Sequence, residues 1–487
     1  MTKTFDSGRQ YHRGLKRRHI QMMAIGGAIG TGLFLGAGGR LESAGPGLMF
    51  AYAICGVFAF LILRALGELV VHRPDSGSFV VYARELFGER LAFVTGWVYW
   101  MYWAMIAIVD TTAIALYLNF FGRYIPWFGE VPQWAWALGA LLLVIGLNLL
   151  SVKVFGELEF WFALIKVASL VLFFVIGVGF IVFGQEVGGH TPGFSLIADN
   201  GGMLPSGLLP LVLVVQGVVF AYGAIELIGT AAGETADPEK TMPRAVNTVI
   251  LRIAVFYVGS ILLLSLLLPT SAYTAGESPF VTFFSSIGVA GADSVMNLVV
   301  LTAALSSLNA GLYSTGRIAR ALAQRGTAPA FAGRLNRAGV PYGGILITGL
   351  FALVGVGLNA VIPEGAFEVG LNMTSLGQLV VWGVIVACQL RLRRRSLEGV
   401  LERPRFRMPW SPWSGYLTFG FLGAVALLIL LDYPTGTLTF GAVVVLAVPA
   451  LVIGWFAVRR RIVPDAPEQV ADRGSLVGAG NGPADDS

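Results

Sequence analysis

The sequence predicts an all-α polytopic membrane protein of twelve transmembrane helices, arranged as two five-helix repeats followed by two further helices. Three observations predict it. Hydrophobic residues make up 56% of the 487 and charged residues only 13%, with a mean hydropathy of +0.75. Apolar runs long enough to cross a bilayer, roughly 18 residues or more, recur along most of the chain. Two of those runs, the first and the sixth, are interrupted by glycine in a way the others are not.

The runs fall at 20–41, 48–71, 91–121, 131–151, 155–184, 206–232, 246–269, 289–321, 342–362, 367–390, 413–432 and 437–458. The tails 1–19 and 459–487 carry too few apolar residues to build a core. Lys3, Arg9, Arg13, Lys16, Arg17 and Arg18 precede the first run. Alternate loops then carry Arg84 and Arg90, Lys153, Lys240 and Arg244, and Arg325, Arg334 and Arg337. Seven arginines lie between Arg391 and Arg407, and Arg459 to Arg461 follow the last run. The opposite loops hold little that is basic beyond Arg40 and Arg123. Basic residues mark the cytoplasmic side, so both tails are predicted to be cytoplasmic. The net charge of +5 is then a topology signal, the bilayer is the partner, and a nucleic-acid reading has no support. Arg64 and Glu68, four apart on the second run, are predicted to pair on one helix face.

The first run reads MMAIGGAIGTGLFLGAG, with Gly26, Gly27, Gly30 and Gly32 within seven residues. The sixth reads VVFAYGAIELIGTAAGE, with Gly223 near its centre and Glu226 just beyond. Close helix packing explains isolated glycines such as Gly36, Gly39 and Gly229. The dense, irregular run from Gly26 to Gly32 fits unwound backbone better, and unwound backbone survives at membrane depth only where it lines a cavity or is buried. Glycine breaks at matching positions of two halves point to a binding site between repeats. The repeats are then 20–184 and 206–390, the second inverted, with the helices in 413–458 outside them. Unwinding exposes N–H groups that attract a carboxylate and C=O groups that attract an ammonium. A zwitterionic α-amino acid suits such a site.

Lys166 stands alone in FWFALIKVASLVLFF. An ionisable residue inside a span is expensive and marks a functional site by default. The chain has 33 basic residues but only five lysines. A lysine in this slot, where arginine could never release its proton, suggests a group that titrates; the alternative is a snorkelling or structural amine. Asp110, in IAIVDTTA, needs polar partners of its own. Cys55 and Cys388 lie in spans and imply no disulfide framework. His12, His19, His72 and His190 have no metal-ligand spacing, and no cofactor is called for.

The stretches IGGAIGTGLFLGAG, LRALGEL, DSGSFVVYA, GWVYWMYWAMIAIVD, FWFALIKV, FAYGAIELIGTAAGE with DPEKTMPRA, and ALSSLNAGLYSTGRIARALA resemble the bacterial amino-acid permeases of the amino acid–polyamine–organocation superfamily. QGVVFAYGAIELIGTAAGE, SPFVTFFS, VVLTAALSSLNAGLY, CQLRLR and DYPTGT are most similar to the L-asparagine permeases within it. The resemblance implies a LeuT-like five-plus-five inverted repeat and a proton/amino-acid symport across the cell membrane. It implies that backbone at Thr31 and Gly32 receives the substrate carboxylate. The carbonyls of Ala28, Ile29, Phe220 and Gly223 receive the amino group, and Phe220 closes over the substrate. Lys166 matches the coupling lysine of proton-dependent members, where it would brace the unwound backbone at Gly26 and Gly27. Glu226 matches a position linked to substrate or proton handling, with a structural carboxylate as the alternative. Glu234 would serve an inner gate, Asp110 would support the site, and Tyr102 and Asn309 would line the cavity.

A channel would need a continuous polar path, whereas the polar groups here gather at two breaks. A membrane enzyme would need a nucleophile–base pair or metal ligands, which are not evident. A transport-like sensor would carry an appended signalling domain, and the tails have no room for one. Other neutral substrates, namely glycine, alanine, D-serine, proline or γ-aminobutyrate, and an exchange mechanism remain alternatives on sequence.

Overall fold

Away from water a backbone must satisfy its N–H and C=O groups internally, so an uninterrupted apolar run becomes a helix. The computed structural model follows that rule over the residues it describes, 30–74, 78–227, 229 and 238–462. Two short helices come first, α1 (Thr31–Phe34) and α2 (Ala37–Ala44), and a turn at Gly45–Gly47 leads into α3 (Leu48–His72). Gly45 makes that turn at φ 70°, a left-handed value open to glycine because it has no Cβ. Next come α4 (Ser78–Phe87), α5 (Glu89–Asn119), α6 (Gln133–Leu150) and α7 (Val152–Val182). Helices α8 (Leu208–Leu213) and α9 (Val215–Ala221) are short. A π-helical segment, Ile253–Gly259, joins α10 (Pro238–Arg252) to α11 (Ser260–Leu267). The chain finishes with α12 (Ala292–Gln324), α13 (Tyr342–Val361), α14 (Ala366–Leu397), α15 (Trp413–Leu431) and α16 (Thr435–Val458).

Among the described residues, 10 helical stretches are long and apolar enough to cross a membrane, judged by length and composition. The sequence predicts twelve. The two runs not among those ten, 20–41 and 206–232, are the glycine-interrupted pair, and each is described only in part. In the first, the described part opens on an extended Gly30 before α1 at Thr31. In the second, α9 ends at Ala221 and residues 222–226 form turns, with Ala224 at φ 66°.

Helix α5 lies at the centre, packed against α6, α12, α13 and α14. The aromatic run GWVYWMYW sits on it, and Tyr99, Trp100, Tyr102 and Trp103 are all buried, which fits a packing role for most of that run. Helix α16 is the opposite case. None of its apolar window is buried, and Val445, Leu446 and Ile453 are exposed, a surface suited to hydrocarbon rather than water.

Arg64 and Glu68 do not form the self-contained pair expected from their spacing. Arg403 donates to the Glu68 carboxylate from Nε at 2.5 Å and from a terminal nitrogen at 3.3 Å. Gln389 and the Met408 backbone N–H donate to it as well, at 3.0 and 2.7 Å. Arg64 instead donates to Asn247 at 3.3 Å and to the Arg407 carbonyl, with its guanidinium over the Phe406 ring. Glu68 is fully buried, and a buried carboxylate demands several charge-assisted donors, more than one neighbouring arginine supplies. The arginine-rich loop between α14 and α15 is thereby pinned onto α3.

Candidate functional site

Lys166 lies on α7 and is only 2% exposed. Its Nζ donates to Ser306 Oγ at 3.0 Å, and Ser306 donates onward to Glu159 Oε2 at 2.9 Å. Asn309 donates to the other Glu159 oxygen at 2.8 Å and accepts from Asn148 Nδ2 at 2.8 Å. Helix geometry explains the assembly. Glu159 and Lys166 are seven residues apart, two turns along one face of α7. Ser306 and Asn309, three apart, share a face of α12. Asp110 on α5 is the second carboxylate whose charge acts on Lys166. The charges of two buried acids from different elements therefore both act on the amine.

Asp110 connects this chain to the first break. Thr31 Oγ1 donates to Asp110 Oδ1 at 3.0 Å, while Asp110 Oδ2 has no hydrogen-bond partner among the described residues. Thr31 and Gly32 open α1, and the leading N–H groups of a helix have no partner within it. The two broken runs meet at this point. A Cβ on Gly32 would lie 2.6 Å from the Ala221 Cα and 3.0 Å from the Phe220 ring. By contrast, a Cβ on Gly30 meets nothing within 4 Å among the described residues. Gly32→Ala is therefore expected to destabilise the protein by roughly 1–3 kcal/mol through overpacking against backbone. Gly30 sits at φ −131°, an angle alanine adopts. In Gly30→Ala the lower unfolded-state entropy therefore offsets the poorer N-cap preference, and the expected change is under about 1 kcal/mol. Thermal unfolding of the two purified variants checks the contrast.

The second break is held by side chains from other helices. Tyr102 OH accepts from the Ala224 N–H at 3.0 Å, and Gln378 Nε2 donates to the Val219 carbonyl at 3.0 Å. Tyr257 OH donates to the Ala221 carbonyl at 3.0 Å. The Phe220 carbonyl accepts from the Gly223 N–H at 2.8 Å, which closes a tight turn. Glu226 is 1% exposed and is flanked by Tyr102 and Trp382. Neither of its carboxylate oxygens meets a hydrogen-bond partner among the described residues.

Thr31, Gly32, Phe220, Gly223, Glu226 and Tyr102 thus gather where the two breaks touch. Lys166 and Asp110 stand beside that place, linked to it through Thr31. Asn309, expected on the cavity wall, has its amide engaged by Glu159 and Asn148 within the chain behind Lys166. Gly26, Gly27, Ala28, Ile29 and Glu234 lie outside the described residues. Glu159, Ser306, Asn148, Gln378 and Trp382 were not singled out from sequence. Glu159 had a readable signal, its seven-residue offset from Lys166; the others come together only through tertiary contacts.

A model of the amino acid permease family matches residues 19–463. The chain is 58% identical over 475 residues to L-asparagine permease 1 of Mycobacterium tuberculosis, covering 97% of this chain and 96% of that protein. It is 59% identical over 452 residues to L-asparagine permease 2 of Mycobacterium bovis, covering 93% and 92%. Against the L-asparagine permease of Escherichia coli the identity is 55% over 452 residues, covering 93% and 90%. These relatives are transporters and not enzymes. With its many apolar helices and two touching breaks, the chain belongs to the amino acid permease family.

Proposed function

We propose that this multi-pass membrane protein is a proton-coupled symporter that imports L-asparagine by alternating access. The observation that carries the reading is Lys166, a buried amine under the charges of Asp110 and Glu159, linked by way of Asp110 and Thr31 to the break where a substrate would sit. The names of the relatives support asparagine as the substrate. In this reading twelve spans form a LeuT-like pair of inverted repeats, 20–184 and 206–390, with 413–458 outside them. The tails 1–19 and 459–487 face the cytoplasm, and the protein resides in the plasma membrane.

The N–H groups at Thr31 and Gly32 receive the substrate carboxylate, and the carbonyls at Ala28, Ile29, Phe220 and Gly223 receive the amino group. Phe220, packed where Gly32 leaves room, closes the outer side, while Tyr102 holds the unwound segment at Ala224. Lys166 braces Gly26 and Gly27 when protonated, and Glu226 takes part in substrate or proton handling. Asp110 and Glu234 support the site and the inner gate. Asn309 acts one layer behind the cavity, through Glu159. Proton and substrate favour the same conformational state, so each raises the affinity for the other.

Uptake of labelled L-asparagine into proteoliposomes, with and without an inward proton gradient, tests the reading. Accumulation above equilibrium only when the gradient is present is the expected result. Equal uptake in both conditions would replace symport with exchange or facilitation. Uptake of other neutral amino acids but not asparagine would overturn the substrate.

A further inference from the structure

Buried polar atoms without partners are uncommon in folded proteins, and each one calls for an explanation. Several gather at the second break. Both Glu226 oxygens, Gln378 Oε1 and Trp382 Nε1 are buried and meet no hydrogen-bond partner among the described residues. Gln378 and Trp382 are four apart on α14, so they project from one face. Gln378 is also oriented. Its amide nitrogen is committed to the Val219 carbonyl at 3.0 Å, which leaves Oε1 turned toward the unwound segment. There a Cβ on Gly223 would come within 3.4 Å of Gln378 Oε1 and 2.8 Å of the Tyr102 hydroxyl. The missing Cβ is what lets those polar atoms close on the unwound backbone.

We infer that Gln378, Trp382 and Glu226 form the subsite that reads the substrate's side-chain carboxamide. This rests on the reading of the chain as an amino-acid importer. A primary amide offers two N–H donors and one carbonyl acceptor. The amide nitrogen donates to Gln378 Oε1 and to a Glu226 oxygen, while its carbonyl accepts from the Trp382 indole N–H. Both donors and the acceptor of the amide are then used, and one Glu226 oxygen is left over. An aspartate side chain fails this test, because its acceptor-only carboxylate would face Glu226 and Gln378 Oε1. An apolar side chain fails differently, by leaving all of these groups buried and unpaired, which is how a polar site rejects an analogue that lacks the matching group.

The test is calorimetric binding of L-asparagine and L-alanine to purified wild type, Gln378→Met and Trp382→Phe. Alanine presents the same main chain without the amide, so the affinity ratio isolates the subsite. It also refers only to folded protein, whatever fraction of a variant that is. The wild type should favour asparagine, and each variant should lower the ratio about 10- to 100-fold. Trp382→Phe keeps the ring and leaves every backbone bond that holds the break in place, removing only the N–H that faces Glu226. It therefore tests the subsite even if Gln378→Met, which gives up its bond to Val219, does not fold. An unchanged ratio in Trp382→Phe would overturn the inference while leaving asparagine binding intact. So would a wild type that binds the two amino acids equally. A wild type that binds alanine but not asparagine would instead sink the asparagine reading, and the subsite with it.

Discussion

Lys166→Ala is expected to abolish gradient-driven accumulation of L-asparagine while substrate exchange across the same membrane continues. The loss should be about 10- to 100-fold in accumulated substrate, the range that a coupling free energy between two sites commonly supplies. The amine holds Ser306 at 3.0 Å and is acted on by the Asp110 and Glu159 charges. Alanine removes the member of this group that can carry positive charge, and with it the coupling proposed for it. The bond from Thr31 to Asp110 and the close approach of Gly32 to Phe220 are made without the amine, so exchange should survive. Parallel measurements of net uptake and counterflow in proteoliposomes separate the two activities. A variant that still accumulates asparagine against its gradient would reduce Lys166 to a structural brace.

The second large effect is expected from Glu159→Leu. Both carboxylate oxygens are engaged, one by Ser306 at 2.9 Å and the other by Asn309 at 2.8 Å, and the residue is 3% exposed. Leucine would leave the Lys166 amine near an emptied partner and both donors unsatisfied. Removing one member of a buried charged network costs about 3–5 kcal/mol. Glu159→Gln keeps one acceptor and exchanges the other for a donor, which the Ser306 hydroxyl accommodates by turning its own proton away. Its cost should be about 1–3 kcal/mol. Thermal unfolding in detergent compares the pair. Equal losses would mean that the charge, and not the hydrogen bonding, holds the chain together.

Much of this protein is legible in its sequence because a bilayer restricts the choices. Ten of the apolar runs become helical spans since hydrocarbon leaves the backbone no other way to satisfy itself. The glycines around Gly32 and Gly223 mark the breaks because helices tolerate such density poorly. Lys166 draws notice as a lone amine in an apolar run. Glu159 escapes notice because it lies near the start of its run, where an acid reads as interfacial, and because its partners Ser306 and Asn309 are about 150 residues away. The Arg64–Glu68 spacing misleads for a related reason. Local periodicity offers Arg64, while the donor that captures the carboxylate, Arg403, comes from a loop 335 residues further on. Gln378 and Trp382 look like ordinary members of a span until the Val219 carbonyl fixes which way the amide turns.

The bare surface of α16 has a consequence of a different kind. Its 24 residues, at 1.5 Å each, make a rod of roughly 36 Å against a hydrocarbon core of about 30 Å. Its apolar window has no buried residue although the helix packs along α14 and α15, so tilt against those neighbours meets the difference at fractions of a kcal/mol for each ångström of mismatch. Packing on α14 and α15 and the Phe93–Trp455 ring contact at 5.6 Å hold the helix, and the acyl-chain length of the surrounding lipid pulls against that hold. Bilayer thickness becomes a control variable for the whole protein, to be fixed before rates from two reconstitutions are compared.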